Sequence, residues 1–148
     1  MSKIKVKVEG LKELDRALGQ LPKSTAKGVT RQVLRDAAEP MARTARRLAP
    51  RDEYHLYESI DVSTRLNSRQ RSMHREINKP TFQEMFMGTN NPAGVQQEFG
   101  NERHPAQPFM RPAWEAEKMP TLDRIGNSLW LRIRQATERL ARRAARGK

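Results

Sequence analysis

With 148 residues, the chain is the size of one domain and carries enough apolar material for a modest core, although only 36% is hydrophobic and 31% is charged. The 29 Lys and Arg against 17 Asp and Glu give a net charge of +12, which favours polyanionic or acidic partners. The absence of cysteine excludes a disulfide scaffold, a thiol nucleophile and cysteine-based metal centres. No apolar run approaches the ~18 residues of a membrane span, and the opening Met1-Ser2-Lys3-Ile4-Lys5 lacks the apolar stretch of a secretion signal. A soluble, unexported protein without membrane association is expected, and its high surface-to-core ratio points to an oligomer.

Residues 1–22 read as a strand and a short helix. Ile4, Val6 and Val8 alternate with lysines, Gly10 ends the run, and Leu11, Leu14, Leu18 and Leu21 recur at helical spacing up to Pro22. A long helix follows over 23–50, marked by Val29, Val33, Ala37, Met41, Ala45 and Leu48, with a kink or a break expected at Pro40. Over 58–100 the period changes to two. Ile60, Val62, Thr64 and Leu66 alternate, residues 67–72 read as a polar turn, and Met73, Arg75 and Ile77 alternate again. Residues 82–87 and 95–99 supply two further expected strands, separated by the turn cluster Gly88-Thr89-Asn90-Asn91-Pro92.

Residues 101–112 read as an extended arm. Pro105, Pro108 and Pro112 each fix φ near −65° and disfavour the α conformation in the residue before, so the arm is stiff. Phe109 and Met110 become large apolar groups on that arm, suited to docking at low entropic cost. The alternative reading of the same prolines is a loop that covers the domain's own core. Pro112 suits a first helical turn, and residues 113–148 form the final helix, with Leu122, Ile125, Leu129, Ile133, Ala136, Leu140 and Ala144 on one face. The fold class expected is therefore α+β, a mainly antiparallel sheet of about four to five strands packed against two long helices, within a single domain over 1–148.

Chemistry-bearing patterns are sparse. His55, His74 and His104 lack the i, i+4 spacing of a metal pair, and no nucleophile elbow, phosphate-cradling glycine loop or His-Glu-x-x-His motif occurs. Asp61, Glu76, Glu84 and Glu98 are the carboxylates available to acid–base work, and their spacing places no two of them across a substrate. No catalytic, cofactor-binding or metal-binding residue is expected. Arg132, Arg134, Arg139, Arg142, Arg143 and Arg146 crowd the last helix, where cations oppose the negative end of the helix dipole and offer electrostatic contact with DNA. No zinc finger, aromatic ribonucleoprotein motif or helix-turn-helix accompanies them. Tyr54, Tyr57, Trp114 and Trp130 are the rings available for stacking, and packing is expected of Trp130, which follows Leu129 in the amphipathic helix.

The order of features resembles a known family. Val6-Lys7-Val8-Glu9-Gly10-Leu11 with Leu14 and Leu18, the helix end Ala49-Pro50, Leu56-Tyr57-Glu58-Ser59-Ile60, Glu98-Phe99-Gly100 and the run from Pro105 to Ala113 together are similar to the gene-product-ten-like tail-component family of lambdoid phages, and also to minor tail proteins of the Z type. The chain differs in carrying Glu53-Tyr54 where that family has Thr-Gly, and Asn101 where it has Thr. The resemblance implies a structural virion protein, a neck or tail-completion subunit made in the host cytoplasm. It implies a closed ring of copies of itself, expected to be sixfold, between the head connector and the tail tube. Head-closure, tail-terminator or tail-tube proteins would be its neighbours, and its basic residues would either make non-specific contact with passing DNA or complement an acidic protein ring. Interaction residues on this reading are Glu98, Phe99, Gly100, Pro105, Gln107, Pro108, Phe109, Met110, Arg111 and Pro112. The competing expectation from charge alone is a small basic nucleic-acid-binding protein acting outside virions.

Overall fold

The computed structural model describes residues 10–51, 55–75 and 83–147. The strand expected over 4–8 lies outside these residues, as do Glu53, Tyr54, Glu76, Ile77 and Phe82.

Two helices dominate. Helix α1 covers Leu11–Gly19 and α2 covers Lys23–Leu48, and the last helix, which becomes α5 in chain order, covers Met110–Arg146. α2 and α5 run antiparallel: Thr44 donates to Glu117 at 3.1 Å, Arg124 Nε donates to the Ala37 carbonyl at 3.3 Å, and Arg132 meets Asp36 at 3.4 Å. Helix α2 is continuous through Pro40, and α5 through Pro120. The packing of the pair and the Arg124 contact one turn before Pro40 hold the helix where propensity alone favours a break.

The antiparallel pair encloses two cores. Near the start of α2, Leu14, Leu21, Val29 and Val33 pack with Ile133 and Ala136, with α1 laid across the pair. Toward the end of α2, the small residues Ala42, Ala45 and Ala49 leave room for Leu56, Ile60, Val62, Phe109 and Ala113. A 3-10 turn, Tyr57–Ser59, delivers the chain into β1, Ile60–Ser63, whose Ile60 and Val62 face inward while Asp61 points to solvent. β1 pairs antiparallel with β2, Phe86–Thr89, with Ile60 opposite Thr89 and Ser63 opposite Phe86.

The expected four- to five-stranded sheet is not formed. Helix makes up 69% of the described residues, and the sheet among them has two strands, so the architecture is mainly α-helical with a small two-stranded antiparallel sheet. Residues 68–73, taken for the turn and return strand of a hairpin, form helix α3, Ser68–Met73. Asn67 caps it by accepting from the Gln70 N–H at 2.8 Å, while the Gln70 side chain accepts from the Asn67 N–H at 3.0 Å. This reciprocal capping box outweighs three alternating residues, because it satisfies two N–H groups at once. Residues 95–99, also taken for a strand, belong to helix α4, Ala93–Phe99, which starts after Pro92 and stops at Gly100.

Candidate functional site

The segment from Asn91 to Arg111 is built around the junction of α4 and α5. Asn91 Oδ1 accepts from the Ala93 N–H at 3.0 Å, and its carbonyl accepts from Gly94 at 3.0 Å, which starts α4. Gly94 lies against the core: a Cβ there would stand 2.6 Å from Thr89 Cγ2 and 3.8 Å from the Phe109 ring. Gly100 ends the helix with φ of +74°, in the left-handed half of backbone space, and a Cβ there would meet the Ala106 nitrogen at 2.8 Å. Only glycine fits this reversal.

Beyond Gly100 the chain folds back on α4. Asn101 Oδ1 accepts from Arg103 at 2.8 Å and from His104 at 2.9 Å, and the Gln107 N–H donates to the Gln97 carbonyl at 2.7 Å. Residues 101–108, including Pro105, Gln107 and Pro108, are exposed along this return. The stiffness supplied by the prolines therefore braces a loop against its own subunit.

Helix α5 opens on Phe109, whose side chain carries no acceptor, so its first N–H groups need a cap from elsewhere. Glu98 supplies it from α4. One carboxylate oxygen accepts from Phe109 at 2.8 Å and Met110 at 2.9 Å. The other accepts from the Arg111 N–H at 3.1 Å and from Arg111 Nε at 2.9 Å. Arg111 also donates to the Glu98 carbonyl at 2.9 Å, so Glu98 accepts three bonds from it in all. Glu98 is only 5% exposed. Burial alone would push its carboxyl up. The three backbone N–H groups and the Arg111 guanidinium outweigh that penalty and hold it below the ordinary carboxylate value, with the positive end of the helix dipole acting in the same sense.

The placement of Phe109 corrects its role as a docking anchor. Its ring is 0% exposed, enclosed by Ala42, Ala45, Leu56 and Ile60, because the alanine stripe of α2 makes a cavity that a phenyl group fills. Met110 is half-buried against the same core, and Pro112, as the third residue of α5, occupies the first turn it was expected to suit. Phe99 points the other way. It is 67% exposed, with the Arg111 guanidinium 5.1 Å from its ring centre. Val95, one turn earlier on α4, is 63% exposed, and Trp114, one turn beyond Arg111 on α5, is 55% exposed. Val95 has no contact role in the sequence reading, and Trp114 has only that of a ring available for stacking. The spacing of Val95 and Phe99, four residues apart, was the available signal.

The six C-terminal arginines do not share one environment. Arg132 is held by Asp36, and Arg134 lies on a different side of α5 from Arg139, Arg142, Arg143 and Arg146. The histidines and carboxylates are dispersed as well. His74 Nε2 meets Glu84 at 3.0 Å, His55 meets Glu58 at 3.2 Å, and Asp61 stands 4.0 Å from Arg46. Among the described residues no three His, Cys, Asp or Glu come close enough to hold a metal ion, and no helix is long and apolar enough to cross a membrane.

The fold and this junction define a helical scaffold in which the Glu-Phe-Gly and Pro-Phe-Met-Arg-Pro segments form an internal clamp, with Val95, Phe99 and Trp114 exposed on the helices that carry it. Comparison with protein-family models, curated proteins and solved structures found no match.

Proposed function

We infer that the chain is a structural subunit of a tailed-phage virion, closing with copies of itself into a ring at the head-to-tail junction. Two things support this reading: the resemblance of the combined segments to phage tail components, and the exposure of Val95, Phe99 and Trp114 on the helices of the α4–α5 junction. The second carries the argument about contact. Each of these three large apolar side chains is more than half exposed, Val95 and Phe99 stand one turn apart on α4, and the Glu98–Arg111 clamp fixes the junction that carries them. Rings and bulky groups on a rigid base make strong contact points, since little order remains to be imposed on binding.

Of the expected anchors Phe99 and Phe109, we give the contact role to Phe99 with Val95 and Trp114 as its neighbours. Phe109→Ala is not a clean probe of assembly, since it removes core. The informative variant is Phe99→Ala combined with Trp114→Ala, followed by size exclusion with light scattering and by electron microscopy. Closed rings are expected from the natural chain, alone or with its connector neighbour, and loss of rings at unchanged helical content from the variant. Rings that persist in the variant overturn the role of this surface, and a natural chain that stays monomeric under both conditions overturns the reading.

A further inference from the structure

Among the described residues, the antiparallel pairing of α2 and α5 leaves the end of α5 without a partner. Ile133 and Ala136 are buried against Val29 and Val33, and Leu140 still borders that core. From residue 141 to 147 every residue is exposed, whichever way it faces. The last two turns of α5 therefore project past the start of α2.

Four of the side chains there form a strip. At about 100° of rotation per residue, Arg139, Arg142, Arg143 and Arg146 fall within an arc of about 100°, spread over about 10 Å of helix axis. None of the four has an ion-pair or hydrogen-bond partner among the described residues, and all are exposed. Glu138 is the one carboxylate between residues 133 and 147, and no ion pair joins it to Arg142 one turn on. Compensation of the helix dipole does not account for four cations. The C-terminal end of a helix is worth about half a negative charge, which one side chain answers.

We propose that this strip is a binding site for the phosphate backbone of double-stranded DNA, contacted without base reading. Guanidinium groups suit phosphate because their planar fork can donate two bonds to it. An acidic protein is the less suitable occupant. Protein contacts rest on buried aromatic or large aliphatic anchors, and from residue 141 onward the helix offers only Ala and Arg. This assignment does not depend on ring formation, and its test does not read the oligomeric state.

The test is fluorescence anisotropy of the full chain with a labelled duplex of arbitrary sequence, titrated across salt concentrations. The variant carries Arg139→Gln, Arg142→Gln, Arg143→Gln and Arg146→Gln, which keep helix propensity. A control with the same change in net charge carries Gln at Arg16, Arg35, Arg43 and Arg47. Each phosphate contact contributes about 0.9 to the slope of log affinity against log salt, so the strip variant, lacking four, should lose about three and a half units of slope and about tenfold or more in affinity. The control should lose far less. Equal losses in the two variants reduce the effect to net charge and overturn the site, as does a natural chain that fails to bind the duplex. Competition by polyglutamate as effective per charge as unlabelled duplex assigns the strip to an acidic polypeptide and overturns the DNA assignment.

Discussion

Glu98→Gln is the sharpest test of the clamp, because it keeps the shape of the side chain and changes only its acceptors. The carboxylate has four donors aimed at it, two on each oxygen. The amide retains one oxygen and turns an NH2 toward the other pair, so donors face donors. Leaving a buried N–H such as that of Phe109 unsatisfied costs about 1–3 kcal/mol, and losing the charge at the start of α5 costs about 0.5–1 kcal/mol more. The ion pair itself adds little, since the Arg111 side chain is 61% exposed and screened by water. The expected loss is about 3 kcal/mol, a large share of the roughly 5–15 kcal/mol that holds a domain folded. Urea unfolding followed by circular dichroism should show it as a fall in midpoint of about 1–2 M. The dependence on pH gives a second, independent reading. The folded-state carboxyl is held below its ordinary value of 4.5, so its contribution is complete above that value and is lost as pH falls through the lower, folded value. Acidification should therefore narrow the gap between Glu98→Gln and the natural chain. A variant within about 0.5 kcal/mol at neutral pH, or a gap that stays constant on acidification, refutes the role of the carboxylate as the cap of α5.

Two further changes probe the same region. Phe109→Ala should cost about 3–5 kcal/mol by removing a fully buried ring from the alanine-lined core, read as a lowered thermal midpoint; a change under about 1 kcal/mol would mean the ring is not enclosed. Gly100→Ala should destabilise by about 1–3 kcal/mol, from the strain of positive φ and the 2.8 Å approach to the Ala106 nitrogen, whereas a stabilised variant would refute the reversal.

The helices were the legible part of the sequence. The leucines of α1, the Val and Ala stripe of α2 and the apolar face of α5 each repeat over several turns, long enough for the 3.6-residue period to dominate. The sheet was misread where windows were short. Met73, Arg75 and Ile77 alternate, but three residues carry less information than the Asn67 and Gln70 capping pair beside them. Val95 and Phe99 were assigned to a strand although their spacing is helical and Pro92 and Gly100 bracket them as helix ends. The junction was legible as a marked segment and illegible as a mechanism. A stiff proline run has the same local conformation whether it reaches outward or folds back, and the Gln107 bond to Gln97 decides that only in three dimensions. The cap on α5 was hidden for a related reason, since its acceptor lies eleven residues before Phe109. The hint was negative: a helix opening on Phe109 with no Ser, Thr, Asp or Asn before it must borrow its cap.

The length of α5 has a consequence of its own. From Arg111 to Arg139 the axis runs about 42 Å, several times the roughly 8–10 Å over which charge is felt in physiological salt. The guanidinium locked at one end and the free guanidinia at the other are thus electrically invisible to each other, though a single rod joins them. Substitutions at the two ends should add without coupling, and ionic strength should act on the tip while leaving the clamp unmoved. Mechanically the reverse holds: a push on Phe99 passes through Arg111 and Glu98 into the base of that rod, so a load met at one end of the subunit has a stiff path toward the other.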